Sequence, residues 1–333
     1  MEQMKPRERV LTALKRGQAD RVPWVENYVH PSLVSKIMGR EIVPIPGARF
    51  MPVIHEKLCL DNITYDFRPP IYAQVEKRGD LEMIKEPWLK GWEDLDKIKK
   101  WLPDPESDAF YANAKEYLKL KGDYAALASL RLGISNVYNS MGYENFVFAL
   151  ADEPEFVEAA FEVFGEWCSK VIERVNNMNF DFCWLSEDIA FQDGPMVTPA
   201  QYEKHILPHA KKVADKIALP KVYHSDGDYL PVMDYILQLK PAAIANLEPP
   251  VMDIFKLKET HGDRVCLLGN IDLHHTLTRG TTEETIAEVK EKLERVGKGG
   301  GYIIASSNGL VAYCKPENVL AMNETILKYG WYK

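Results

Sequence analysis

The sequence predicts an α/β chain folded as a single (β/α)8 TIM barrel, and three observations carry that prediction. Short apolar runs alternate with helical patterns, most regularly after Pro103-Asp-Pro105, a rhythm that demands parallel strands joined by crossover helices. About eight such units in one chain favour a closed barrel over an open doubly wound sheet. The glycine-rich fingerprint of a dinucleotide fold is missing: Gly297-Lys-Gly-Gly-Gly301 precedes a strand and reads as a turn.

In chain order, residues 6–15 carry Val10, Leu11 and Leu14 at helical spacing, and Gly17 stops the helix. Arg21-Val-Pro-Trp-Val-Glu26 is a first, short strand. Residues 40–105 are Pro-dotted and irregular, with a strand pair expected at 62–67 and 71–76. They read as an N-terminal insertion capping the barrel mouth. Trp88, Trp92 and Trp101 flank a short polar-faced helix there and are read as packing residues.

A helix at 108–120 and a strand at 124–128 follow. The clearest helix is 154–177, where Phe156, Phe161, Phe164 and Trp167 fall on one broad stripe that takes Cys168 into the core. Strands are then expected at 180–186, 221–223, 242–246, 264–268 and 302–305. Helices at 199–217, 231–239, 251–260 and 282–296 separate them, and 316–328 closes the chain. The whole of 1–333 reads as one barrel domain.

Composition bounds the function. A hydrophobic content of 46% with 27% charged residues is that of a globular protein with a sizeable core. The net charge of -8, with no basic cluster, excludes a phosphate-backbone binder, so no nucleic acid partner is expected. No stretch has the apolar length of a membrane span, and the start is charged with no apolar signal core behind it. Five scattered cysteines (Cys59, Cys168, Cys183, Cys266, Cys314) read as reduced thiols, so the protein is expected in the cytoplasm. A homodimer is compatible with all of this.

The chemistry collects at the strand ends. In Lys221-Val-Tyr-His224-Ser-Asp226-Gly-Asp228 a short apolar run feeds a polar turn. Residues two apart share a face of a strand, so His224 and Asp226 point the same way. An imidazole beside a carboxylate holds a metal ion or works as an acid–base pair, and it also suits a plain hydrogen-bonded strand end. In a barrel all C-terminal strand ends open on one rim. Those ends bear Glu187, His224 with Asp226, Glu248, Asn270 with Asp272, and Asn308. So many acids in one mouth repel one another unless a divalent cation or raised pKa values relieve them. Glu187, His224, Asp226 and Cys314 are the candidate ligands of a zinc ion with three protein ligands and one open position. Each has a bland alternative: Glu187 as a helix cap, Cys314 as a packed thiol. Cys266, deeper in the barrel, and Glu248 stay open as further ligands. His205 and His209, at i,i+4, read as surface or interface residues.

Several segments resemble the uroporphyrinogen decarboxylase superfamily: Pro6-Arg-Glu-Arg-Val-Leu-Thr-Ala-Leu, Asp20-Arg-Val-Pro23, Tyr223-His-Ser-Asp-Gly227, Leu268-Gly-Asn-Ile-Asp272 and Gly300-Gly-Tyr-Ile-Ile-Ala-Ser-Ser-Asn308. The resemblance spans nearly the whole chain and implies a (β/α)8 barrel. Its members include a cofactor-free decarboxylase and zinc-dependent corrinoid methyltransferases. The decarboxylases carry an arginine-rich segment after the first strand, and here that position reads Val25-Glu-Asn-Tyr-Val-His30. The thiol-methylating branch carries a His-x-Cys pair and a later Cys, where this chain has His224-x-Asp226 and Ser307-Asn308.

The resemblance therefore implies the branch that passes the methyl group of a methoxylated aromatic to the Co(I) corrinoid of a partner protein. The implied cofactors are zinc and a methylcobalamin-type corrinoid on that partner. Asp226, Asp228 and Asn270 are the expected catalytic groups. Asn27, Tyr143, Trp184, Phe191, Tyr223 and Asn308 are the expected substrate contacts. A methylamine or thiol donor, a decarboxylase-like activity and a non-catalytic binding barrel are the alternatives.

Overall fold

A computed structural model describes residues 3–78 and 81–332. Seven strands form one parallel sheet: β1 (Asn62–Asp66), β4 (Ala125–Leu130), β5 (Phe182–Ser186), β8 (Lys221–His224), β9 (Ala243–Asn246), β10 (Cys266–Gly269) and β11 (Tyr302–Ile303). Two small antiparallel pairs lie outside it, β2 (Ala73–Arg78) with β3 (Leu81–Pro87) and β6 (Ala190–Phe191) with β7 (Gly194–Pro195).

The sheet curls until its edges meet across residues 22–26. The Asp61 N–H donates to the Trp24 carbonyl at 2.8 Å on the β1 side. On the β11 side the Ile304 N–H donates to Pro23 at 2.9 Å and the Val25 N–H to Ile304 at 3.1 Å. The Asn62 amide and the Thr64 hydroxyl both donate to the Glu26 carbonyl, tightening the seam.

Alternation along the strands divides the core in two. Leu127, Phe182, Trp184, Val222, Ala245 and Leu268 face inward, and the helix Pro6–Leu14 closes the lower end with Val10, Ala13 and Leu14. Tyr65, Cys183, Leu185, Tyr223 and Ile244 face the surrounding helices. Among those helices Pro154–Val175 buries the apolar stripe expected of it, Cys168 included. Each large side chain so buried contributes roughly 1.5–3 kcal/mol. The lower end is also pinned by charge. Arg9 reaches Asp20 and Asp61, each at 2.6 Å, and Arg21 reaches Asp61 at 3.0 Å, with the Asp61 side chain fully buried. Among the described residues no helix is long and apolar enough to cross a membrane.

Three expectations about elements are corrected. The segments 62–67 and 71–76 do not pair with each other: β1 is a barrel strand beside β4, and β2 pairs with β3. Residues 40–105 thus supply part of the barrel wall as well as peripheral structure. The expected helix at 199–217 is interrupted by a π-helical turn, Tyr202–Ile206. Pro208 has no N–H to return to Lys204, so the ladder breaks there. The helices Pro31–Met38, Ile134–Met141 and Tyr143–Asp152 went unread because each is short, the last two being split by Gly142 alone.

Candidate active site

Because Phe182 and Trp184 point inward, the same row of β5 continues through Ser186 to Asp188; Val222 leads likewise to His224 and Asp226. These rows converge. His224 Nε2 lies 3.1 Å from Asp188 Oδ1 and 4.0 Å from Asp226 Oδ1. One ligand atom from each of the three residues falls within 4.8 Å of the others. Asp226 is held from two sides, by the Asn246 amide at 2.5 Å and the Asn308 amide at 2.8 Å. Asn246 has φ 73° and Leu247 φ 49°, so β9 ends in left-handed backbone, which an asparagine tolerates better than most residues.

The electrostatics follow from this packing. Burial alone would raise Asp188 and lower His224, but their mutual hydrogen bond and opposite charges win, so Asp188 goes down and His224 up. Asp226 is pushed up to about 6, by burial first and then by the Asp188 and Glu248 charges, against His224 and Asn246. The group thus sets one imidazole against two carboxylates, in hydrogen-bond contact with Asp188 and at longer range from Asp226. A divalent cation seated among them would meet one nitrogen and two oxygens, a donor set that suits a catalytic zinc. On the inward rows of the same strands His224 Nδ1, Trp184 Nε1, Ser129 Oγ and Ser186 Oγ are buried without a hydrogen-bond partner, and the Trp184 N–H can only donate. Buried polar atoms of this kind are ordinarily met by water, an ion or a ligand.

Glu187 and Cys314, named as ligands from the sequence, stand outside this group. One residue out of step with the inward row, Glu187 is buried and accepts from the Leu132 N–H, from the Ser135 N–H at 2.7 Å and from the Ser135 hydroxyl at 2.5 Å. It thereby fixes the entry to the helix Ile134–Met141, and burial raises its pKa. Cys314 is packed in the outer core, where burial pushes its thiol up to about 12. Cys266 lies deeper in the inner core, also pushed up to about 12 by burial.

The other named residues scatter around the mouth. The Trp184 ring lies 5.6 Å from the His224 ring, inside the barrel. Asn308 touches Asp226, as above. Asn270 donates to the Leu247 carbonyl while its Oδ1 is buried without a partner. Asp228 accepts from the Leu230 N–H at 3.0 Å and so shapes the following turn. Tyr143 and Phe191 meet edge to face at 4.9 Å on the exposed rim. The backbone of Phe191 crowds Gly227 (φ 74°), where a Cβ would come within 2.4 Å of its carbonyl oxygen. Asn27 is buried, its carbonyl accepting from Arg49 at 3.4 Å. Tyr223 points to the helix layer and is 1% exposed, which takes it away from the mouth. The rim cleft beside Asp226 measures about 240 Å³ and includes Glu248, His274, Leu273, Asn308 and Tyr313. In it Glu248 accepts from Gln192 at 2.8 Å and from the Gly227 N–H at 2.9 Å, and lies 2.9 Å from His274 Nε2.

Sequence reasoning missed Asp188, Asn246 and three arginines, Arg49, Arg68 and Arg131. The period of two from Trp184 would have pointed to Asp188 rather than its neighbour. Nothing local announces the others.

The sequence profile of uroporphyrinogen decarboxylase (URO-D) matches residues 94–329, well over half of the chain. The chain belongs to the uroporphyrinogen decarboxylase family. Within the family, uroporphyrinogen decarboxylase of Methylococcus capsulatus is 36% identical over 78 residues, a stretch covering 23% of this chain and 22% of that relative. The chain thus matches only about a fifth of the length of that relative. A methyltransferase from Methanosarcina mazei shares the fold almost end to end, with a TM-score of 0.75 over 98% of this chain and 99% of that one, at 17% identity. The barrel therefore follows a fold shared with that methyltransferase.

Proposed function

We propose that this family member is a methyltransferase that takes the methyl group of a methoxylated aromatic compound and passes it to the Co(I) corrinoid of a partner protein. The observation that carries the reading is the convergence of Asp188, His224 and Asp226 at the barrel mouth. We assign these three as the zinc ligands, in place of the set that included Glu187 and Cys314. A bound zinc would supply Lewis acidity to an ether oxygen, making an aryl oxide a tolerable leaving group.

The chain's own residues then have separable tasks. Asn246 and Asn308 orient Asp226 by its two oxygens, beside the rim cleft from which a substrate would enter. Trp184, with Tyr143 and Phe191 at the rim, offers aromatic surface for the ring. Asp226 would serve the ion, and Asp228, half-buried with one oxygen on the Leu230 N–H, holds the turn that follows it. The open rim, with Phe191 and Tyr313 exposed, leaves room for a corrinoid protein to approach.

The experiment is turnover. The zinc-loaded chain is mixed with a Co(I) corrinoid protein and a panel of methoxylated aromatics, methylamines and methylthiols, and the methyl-Co(III) spectrum is followed. Methyl transfer from methoxylated aromatics is expected. Transfer from only amines or thiols, or release of CO₂ from uroporphyrinogen, would overturn the proposal.

A further inference from the structure

Next to the acidic group, on the β1–β4 side of the mouth, cations outnumber the carboxylates committed to them. Arg131 follows Ser129 on the row of β4, one strand over from Asp188. It is 8% exposed, and its Nε and Nη1 have no hydrogen-bond partner. Arg68 grips Asp66 with two bonds, Nε to Oδ1 at 2.8 Å and Nη2 to Oδ2 at 2.7 Å. Arg49 reaches the same carboxylate only at 3.5 Å and stacks its guanidinium over Tyr28 at 4.6 Å. One carboxylate, Asp66, thus serves two guanidiniums, and the third has none in hydrogen-bond contact.

The acids nearest Arg131 each serve other donors, although only one oxygen of Asp188 is so engaged. The Arg131 charge is felt by Glu187 and Asp188. Yet Glu187 is consumed by the Leu132 and Ser135 donors, and Asp188 Oδ1 is directed at His224 and the Asp226 N–H. Crowding leaves its mark on Arg49, whose pKa falls to about 10 through burial and the Arg68 charge. A buried guanidinium without acceptors costs several kcal/mol in desolvation unless an anion comes to it.

We propose that this wall is an anion subsite, and that the substrate carries a carboxylate seated on Arg131, close to the Asp188, His224 and Asp226 group. Asp188 and Glu187 nearby disfavour a dianion such as phosphate, whereas a planar monoanion suits a guanidinium. The assignment of the rest of the molecule as an aryl methyl ether rests on the proposed function; the subsite itself rests on Arg131. The substrate class is then a methoxylated aromatic carboxylate, with the charged group on the arginine side and the ether on the acidic side. Arg131 is a positioning residue: it reads the far end of the substrate and takes no part in bond breaking.

The test is calorimetric titration of the full chain with 4-methoxybenzoate, with its neutral counterpart methoxybenzene, and with inorganic phosphate as competitor. Wild type is expected to bind 4-methoxybenzoate about tenfold or more tighter than methoxybenzene, since charge-assisted bonds are involved. Arg131→Gln should lose that preference, and Arg131→Lys should keep part of it, with circular dichroism reporting that both fold. Binding of 4-methoxybenzoate should be measured with zinc loaded and after chelator dialysis and should show the preference in both, so a failed zinc assignment leaves this result standing. No preference in wild type, no binding of either aromatic, unchanged preference in Arg131→Gln, or displacement by phosphate at lower concentration than by 4-methoxybenzoate would each overturn the proposal. Should Arg131→Gln not fold, a preference in Arg131→Lys equal to that of wild type decides against it.

Discussion

Glu26 gives the most quantitative handle on the barrel seam. It is 1% exposed and ends the segment that joins the two edges of the sheet. Its Oε1 accepts from Trp24 Nε1 and from the Ser306 N–H, each at 2.8 Å, and its Oε2 meets the Ser306 hydroxyl at 2.7 Å. Burial outweighs these donors and raises the carboxyl from 4.5 to about 7. A carboxyl whose pKa is higher in the fold than in the unfolded chain binds more protons when folded. Its contribution is therefore complete below about 4.5, declines as pH rises, and levels off once the pH has passed about 7.

The shift corresponds to a loss of about 3 kcal/mol across that window. Glu26→Gln removes the titration with little change of shape. The Gln oxygen keeps both acceptor bonds, and its amide donates to the Ser306 oxygen, which already accepts from the Gly309 N–H at 2.7 Å. Urea unfolding of both proteins between pH 4.5 and 8 is the assay. The variant should gain on wild type by about 3 kcal/mol up to pH 7, then run parallel. Parallel curves throughout, or a wild type that gains with rising pH, would mean that the donors hold Glu26 ionised and that the reasoning fails.

Two further outcomes follow from named contacts. Asp61→Asn leaves Arg9 and Arg21 buried without their shared anion, and should cost about 3–5 kcal/mol in denaturant unfolding. Glu187→Ala strands the Leu132 and Ser135 N–H groups, so it should lower stability by about 1–3 kcal/mol per donor while bound zinc, read by atomic emission, stays unchanged.

Much of the barrel can be read from the chain because its causes are local. Runs such as Phe182–Ser186 and Cys266–Gly269 are wholly buried, and helices such as Pro154–Val175 carry one apolar stripe; both leave periods in the sequence. The role of Asn62–Asp66 is less visible, since pairing with Ala125–Leu130 is a long-range fact and the surrounding prolines suggest a loop. At the mouth the same contrast holds. The period of two sets His224 beside Asp226, and both lie in the converging group. Glu187 against Asp188 turns on strand phase, where one residue exchanges the inner face for the outer. Arg49, Arg68 and Arg131 come from three separate segments, and only closure of the sheet gathers them. Asn246 depends on left-handed backbone at the end of β9, which has no signature in composition.

The proposed cation at the mouth of the barrel, held on Asp188, His224 and Asp226, is open to direct measurement. Zinc content after loading and exhaustive dialysis, measured on wild type, His224→Ala, Asp188→Asn and Cys314→Ala, tests it directly. About one ion per chain is expected in wild type and Cys314→Ala, and none in the other two. An ion lost from Cys314→Ala but kept by His224→Ala and Asp188→Asn, or no ion in wild type, would contradict it.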